Sequence, residues 1–433
     1  MRILVIGAGP SGLYSAIALA RRGHDIQLVD REPGPPRHGM WRRRGVMQLH
    51  HAHTFRGPVV DALAVEMADV LDDLTDCRAE IAHDDAGRAI ALLCRRATFD
   101  SVLRRRAERT PGITVRTGHI GRVISDGSGL HVDGAPVAAD LVLDASGRGA
   151  GAARAPAGGT LVDCGAVYVT RQYRLLGPGL PPVNGPIGLS LSLDGYAAIA
   201  FLHDDRTFSV TIIHDGTDRR LRELRENVVF ERAVASIPAL CRWTVPGRAE
   251  PITPVLAGGR VYNGYRGQQG RPRGVIAVGD AVCTTTPLAG RGVALALMQA
   301  RALVGLLGGK AMTPAQVEDV TADFDGWCAD HIKPWFDDQV YADTHRLRRW
   351  SGVDVDLSQR LPSDLIAAAA EHDSRLGPLV QPYQRMDSPP AVLAAAEPLA
   401  REAFAAGWRP AIPDGPTRAE LADTCRSVAG RIA

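Results

Sequence analysis

Residues 3–6 (ILVI) form an unbroken apolar run that stops at Gly7, the pattern of a parallel strand buried on both faces. Leu13, Ala16, Ile17 and Ala20 then fall at i, i+3, i+4 and i+7, which predicts a helix ended by Gly23. A second short run, residues 26–29, closes at Asp30. The same grammar returns far along the chain. Residues 275–278 are apolar, Gly279-Asp280 ends the run, and residues 293–307 predict a buried helix after Gly290-Arg291-Gly292. Strand-like stretches at 166–176, 188–202 and 207–214, separated by Pro and Gly clusters, predict an antiparallel sheet, with a short strand at 88–94 joining it. After Thr313 helical patterns dominate, broken at Pro334, Pro362 and Pro389-Pro390.

Composition narrows the function classes. A chain of 433 residues, 45% hydrophobic and 23% charged, is long enough for two or three globular units with a sizeable core. Its net charge of +2 gives no electrostatic footprint for nucleic acid, so a small-molecule partner is expected. The seven cysteines are scattered, with no CxxC pair and no metal-ligand spacing, as in a reduced cytoplasmic protein. The N-terminal apolar run resembles a secretory signal, but the strand-turn-helix pattern explains it better. The run at 293–307 falls short of the ~20 residues that span a bilayer, so no stable membrane anchor is expected.

Gly7, Gly9 and Gly12 stand where the first strand turns into the first helix, the context in which GxGxxG has chemical meaning. Gly7 permits the tight turn, Gly9 lets the backbone approach a pyrophosphate, and Gly12 allows close helix–strand packing. Pro10 and Ser11 complete the turn, and the helix N-terminus offers N–H donors to an anion. Asp30, with Arg31 beside it, lies where a carboxylate would meet an adenosine ribose. This motif alone does not separate NAD from FAD.

The separation comes from GVIAVGDAVCTTTPLAGRGVALALMQARALVGLLGG, beginning at Gly274. It resembles the second FAD signature of the p-hydroxybenzoate hydroxylase, styrene monooxygenase and geranylgeranyl reductase group of FAD-dependent monooxygenases. The resemblance implies that Gly279 and Asp280 hold the ribityl chain of FAD. It also implies that Pro287, Gly290, Gly292 and Val293 face the flavin, whose reduced form carries negative charge that a helix N-terminus stabilises. CRRATFDSVLRRRA, residues 94–107, is similar to the group's R-x-x-L-D helix entry and places Arg96 near the phosphates. DLVLDASGRGAGAAR, residues 140–154, resembles its third motif through Asp144 and Gly147, with Arg148 a further match. Ser146 departs from it: hydroxylases reduced directly by NAD(P)H carry Asp there, so reduction by a separate flavin reductase is the alternative. In residues 42–55, Arg44 and Gln48 are the implied cofactor contacts. His50, His51 and His53 crowd one loop without further ligands, so a flavin-side or helix-capping role is expected and no metal. Cys283 reads as small apolar packing.

The expected fold is α/β: a Rossmann-like FAD-binding domain of glutathione-reductase type, an inserted antiparallel β-sheet substrate domain and a helical C-terminal region. The FAD-binding domain would comprise residues 1–79, 95–157 and 265–310, the substrate domain 80–94 and 158–264, and the helical region 311–433. The implied activity is hydroxylation or epoxidation of a small, fairly apolar molecule by O2 and reduced FAD through a hydroperoxide on the flavin. Reducing equivalents come from NAD(P)H directly or through a flavin reductase. The alternative is an FAD-dependent reductase or dehydrogenase of an unsaturated or isoprenoid substrate. A flavin-dependent halogenase is disfavoured because no lysine precedes Lys310. Such chemistry needs no dedicated acid or base; Arg44, Pro287, Tyr168, His203 and His214 are the candidates for the reacting end.

Overall fold

A computed structural model describes residues 1–123, 129–148, 159–259 and 261–432. The end of the third motif, 149–154, lies outside them. Five parallel strands form the central sheet in the order Val275–Ala277, Leu141–Asp144, Arg2–Ile6, Asp25–Asp30, Ile113–Thr117. Its runs are continuously apolar because both faces are covered. Ile3 and Val5 pack into the main core with the helices Pro10–Arg21, Arg96–Arg109 and Gly292–Leu307. Leu4, Ile6, Val29 and Val142 face a second cluster beneath a three-stranded sheet made of Ile120–Val123, Gly129–Val132 and Ala135–Ala138. The helix ends as the pattern predicts, with Arg22 as C-cap and Gly23 at φ +86°.

The second layer is a six-stranded antiparallel sheet. The stretch read as one strand at 188–202 is a hairpin, Gly188–Leu193 and Tyr196–Leu202, turned at Asp194-Gly195. Thr207–Asp215 and Ala166–Leu175 follow in register, and the short strands Ala249–Pro251 and Leu256–Ala257 close the edge. The sheet has two distinct faces because side chains alternate along a strand. Phe208, Val210, Ile212, Ala198, Ala200 and Tyr173 point to the helices Asn227–Ala235 and Pro238–Thr244 in one core. Tyr168, Thr170, Ile199, Phe201, Thr211 and Ile213, one position out of phase, point to the nucleotide layer.

One strand does not lie where the pattern put it. Ala89–Leu93 pairs with Phe55–Arg56 and Glu80–His83 in a separate three-stranded sheet, because both of its edges are occupied there. Its connection to the six-stranded sheet is ionic instead: Arg95 donates to the buried Asp204 carboxylate from its backbone N–H and its guanidinium, both at 2.5 Å.

The C-terminal region is helical. Thr313 caps Pro314–His331 through a reciprocal bond with Gln316, and Pro334 occupies the first turn of Lys333–Trp350, where its missing N–H costs nothing. Phe324, Trp335, Leu365 and Phe404 join the main core. The last helix, Arg418–Ile432, departs from its neighbours: Leu421, Ala422 and Cys425 enter the core on the far side of the antiparallel sheet, against Asn227–Ala235. Among the described residues, no helix is long and apolar enough to cross a membrane.

Candidate active site

The carboxyl ends of the parallel strands and the inner face of the six-stranded sheet enclose a cleft of about 360 Å³, at the position where open α/β sheets take their ligands. The first glycine turn forms part of its floor. Gly7 adopts φ +98°, and a Cβ there would lie 2.5 Å from the Ala145 carbonyl oxygen, so the turn packs directly on the neighbouring crossover. Gly9, Pro10 and Ser11 line the cleft, and no atom lies within 4 Å of where a Gly9 Cβ would stand. That empty cradle, facing the N-terminus of Pro10–Arg21, suits the close approach of a pyrophosphate. Gly12 does not line the cleft; its Cβ would collide with the Gly7 carbonyl oxygen, so its role is packing.

Asp30 lines the cleft with its carboxylate already engaged. It accepts the Ala8 N–H at 2.7 Å, the Glu32 N–H at 2.9 Å and the Arg43 guanidinium at 2.8 Å. Arg43, buried, reaches on to the Ala8 carbonyl oxygen at 3.0 Å. The two residues thus shape the glycine turn, and Glu32, also on the cleft, adds a second carboxylate. Arg31 and Gln48 line the cleft, whereas Arg44 is exposed and does not. The segment alternates, with Trp41 and Arg43 turned in and Arg42 and Arg44 turned out, so the inward arginine is one residue earlier than the sequence reading placed it. Arg96 lies buried on the cleft, held by Asp100 at 2.6 Å and near His53 Nε2 at 3.4 Å. Burial pushes the Asp100 carboxyl up even though Arg96 pulls it down.

The second glycine turn meets the first. A Cβ on Gly279, which holds φ +71°, would run into the Ser11 side chain, and its N–H donates to Gln299 at 3.0 Å. Gly279 supports the cleft without lining it, while Asp280 does line it, 3.4 Å from Arg148. Pro287, Gly290, Gly292 and Val293 all face the cleft. Gly290 sits in the left-handed region at φ +64° with Thr54 against it, 3.0 Å from where a Cβ would be. The N-termini of two buried helices therefore converge on one cavity, with Asp30 and Asp280 on the same wall system. Gly147 and Ser146 line it between them, but Asp144 does not: it is buried, pairs with Arg271 at 2.9 Å and accepts the Ser146 hydroxyl at 2.5 Å.

The sheet-side wall is mostly apolar. Tyr168 packs edge-on against His51, ring centres 4.8 Å apart, and Ile199, Phe201 and Ile213 extend that surface. Thr170 and Thr211 share a hydrogen bond of 2.8 Å across the strands. Burial holds His51 down to about 4 and His53 well below the ordinary histidine range, so both are neutral at pH 7. The buried Thr285 hydroxyl and His51 Nδ1 have no hydrogen-bond partner among the described residues. Besides Arg44, two further catalytic candidates are displaced. His214 lies off the cleft, since it shares the strand parity of Val210 and Ile212 and its Nδ1 bonds the Asp215 carbonyl. His203, held down to about 4 by burial, bonds Ser209 at 2.8 Å behind the wall. Cys283 is buried with its thiol pushed up, a packing residue. Among the described residues, no group of three His, Cys, Asp or Glu is arranged to hold a metal.

Sequence reasoning missed Glu32, Arg43, Thr54, His119 and Thr285 on this cleft. Arg43 stands in an arginine run, and the in-out alternation that singles it out belongs to the folded loop; His119 and Thr285 carried no signal.

Residues 2–150 match the family described as FAD dependent oxidoreductase. A D-amino acid dehydrogenase of Rhizobium johnstonii is 33% identical over 66 residues, which cover 15% of this chain and 16% of that protein. The chain thus matches about a sixth of the length of such curated relatives. Among solved structures, PqsL of Pseudomonas aeruginosa, a probable FAD-dependent monooxygenase, superposes with a TM-score of 0.59 at 16% identity, covering 82% of this chain and 100% of that one. CmlS, a flavin-dependent halogenase, superposes with a TM-score of 0.62 at 18% identity, covering 99% of this chain and 77% of that one. At these identities the likeness is one of fold: a Rossmann-like parallel core, an antiparallel sheet and a helical C-terminal region, as in FAD-binding oxidoreductases.

Proposed function

We propose that the chain binds FAD along this cleft and acts as a monooxygenase, hydroxylating or epoxidising a small, fairly apolar molecule held against the six-stranded sheet. The observation that carries the reading is the polarity of one continuous cavity. It is charged and rich in backbone donors where the two glycine turns converge, and mostly apolar along Tyr168, Ile199, Phe201 and Ile213. That gradient suits a cofactor with an anionic pyrophosphate at one end and a flat ring at the other. Gly9 to Ser11 and Arg96 would hold the pyrophosphate, Glu32 and Asp30 the ribose, Asp280 the ribityl chain, and the Pro287 to Val293 turn the ring. Bound FAD would supply transfer of electrons and of an oxygen atom from O2. The chain's own part is to orient the substrate on the sheet wall and keep water from the reacting end. Residues 1–79, 95–157 and 265–310 would form the cofactor side of the molecule.

Ser146 stands where directly reduced hydroxylases carry Asp, which favours reduced flavin arriving from a separate reductase. Anaerobic mixing with NADH and NADPH tests this: fast reduction, stimulated by substrate, would overturn it. Halogenation is set aside because neither lysine of the chain, Lys310 or Lys333, lines the cleft. The dehydrogenase reading is favoured by a 66-residue similarity to a D-amino acid dehydrogenase. Turnover under isotopically heavy O2 separates the two. Incorporation of the label into product is expected; an oxidised product without label, formed with stoichiometric hydrogen peroxide, would favour the dehydrogenase. Failure of the purified protein to retain FAD from a saturating solution would remove the basis of both.

A further inference from the structure

The turn bearing Pro287, Gly290 and Gly292 is gripped from beneath by charges that the cleft itself does not use. Arg56 donates to the Ala289 carbonyl oxygen from Nε at 3.1 Å and Nη2 at 2.8 Å, and from Nη1 to the Gln384 carbonyl oxygen at 2.9 Å. Arg291, immediately before Gly292–Leu307, is buried and pairs with Asp338 at 3.1 Å. Its guanidinium lies 4.8 Å from the ring centre of Trp335 and 4.6 Å from that of Tyr383. Asp338 also accepts the Ser363 hydroxyl at 3.0 Å and the Tyr383 hydroxyl at 2.8 Å. Further along the same helix, Lys333–Trp350, Asp343 accepts the Thr286 hydroxyl at 3.0 Å and the Asn263 amide at 2.8 Å. One C-terminal helix therefore holds both flanks of the turn.

The charges do not cancel. Asp343 is matched by Arg346 at 2.5 Å and Asp338 by Arg291, but Arg56 has carbonyl oxygens and no carboxylate as partners among the described residues. Carbonyl dipoles disperse a guanidinium charge without neutralising it. Burial and the nearby Arg291 hold Arg56 down to about 10, so it remains cationic at pH 7.

We propose that Arg56, Arg291 and Asp338 are positioning residues that fix this turn and leave one uncompensated positive charge beneath it, favouring the negatively charged reduced flavin over the oxidised one. The inference rests on the FAD reading above. Its test is the two-electron midpoint potential of the FAD-loaded protein, measured by dye equilibration. Arg56→Gln should lower the potential by about 30 mV, the equivalent of tenfold in a two-electron equilibrium. Asp338→Asn, which strips the counter-charge from Arg291, should raise it by a similar amount. Arg56→Lys should restore the unsubstituted value, since it keeps the charge while losing the forked bond to Ala289.

A merely structural role would move Arg56→Gln and Asp338→Asn in the same direction, toward free FAD, and that outcome or no shift overturns the proposal. Should Asp338→Asn fail to fold, the comparison of Arg56→Gln with Arg56→Lys decides alone, with equal potentials overturning it. Loss of FAD from the unsubstituted protein would be the failure of the underlying FAD reading, visible before any substitution is made.

Discussion

Gly9 and Gly12 belong to one motif and answer to different constraints, and single substitutions should separate them. The Gly9 Cβ position is empty, so Gly9→Ala should leave the melting temperature of the FAD-free protein unchanged while weakening FAD binding at least about tenfold, read by flavin fluorescence titration. Gly12→Ala forces a methyl group onto the Gly7 carbonyl oxygen and should cost about 1–3 kcal/mol of stability. Equal melting temperatures for the two variants would sink the assignment. The packing place of Gly12 was legible because GxGxxG ties it to a fixed position between strand and helix. Residues placed by irregular backbone were less so. Arg43 and Arg44 are identical letters in one arginine run, and only the alternation of the folded loop decides which of them meets Asp30. His214 failed for a reason that was present in the sequence: Phe208, Val210 and Ile212 mark its side of the strand as the one packed on helices.

At the scale of elements, the two faces of the antiparallel sheet should respond differently to the same deletion. Phe208 is fully buried between Tyr173 and Trp243, ring centres 5.1 and 5.2 Å away, so Phe208→Ala should cost about 3–5 kcal/mol, seen as a lower urea midpoint. Phe201 borders the cleft and is only partly buried, so Phe201→Ala should cost less stability and instead change substrate KM. A Phe201→Ala protein as destabilised as Phe208→Ala would refute the facing of the sheet. Strands and helices with strong periodicity were readable from the chain alone, as Arg2–Ile6, Pro10–Arg21 and Gly292–Leu307 show. Pairing was not. The apolar pattern of Ala89–Leu93 says that it is a strand but carries no address, and Phe55–Arg56 and Glu80–His83 take both its edges. The helix Asn227–Ala235 went unread because its sequence, NVVFERAVA, is short and lies among strands.

The molecule as a whole is tied together by segments whose destination no local pattern states. Arg418–Ile432 reads as one more C-terminal helix, yet it packs on the far side of the six-stranded sheet. Leu421→Asp would place a carboxylate in that core, and the sheet layer should become protease-sensitive at a urea concentration that leaves the nucleotide layer intact; simultaneous loss of both layers would count against two separable cores. Acid tests the same assembly from another side. His51 and His203 are held down to about 4 by burial, and His53 lower still, against an ordinary value of 6.5 in the unfolded chain. Above 6.5 both states are neutral and these groups contribute no pH dependence. As pH falls from 6.5 toward 4 the unfolded chain takes up protons that the folded protein refuses, so stability should decline by about 1.4 kcal/mol per pH unit for each histidine. Asp204, held low by Arg95 against its own burial, acts only further down, because its contribution is complete above the ordinary aspartate value of 3.8 and is lost below it. Urea midpoints should therefore be flat from pH 8 to 7 and fall between pH 6 and 5, with a shallower fall in His203→Gln; midpoints that stay level down to pH 5 would mean that these histidines are not buried as neutral groups.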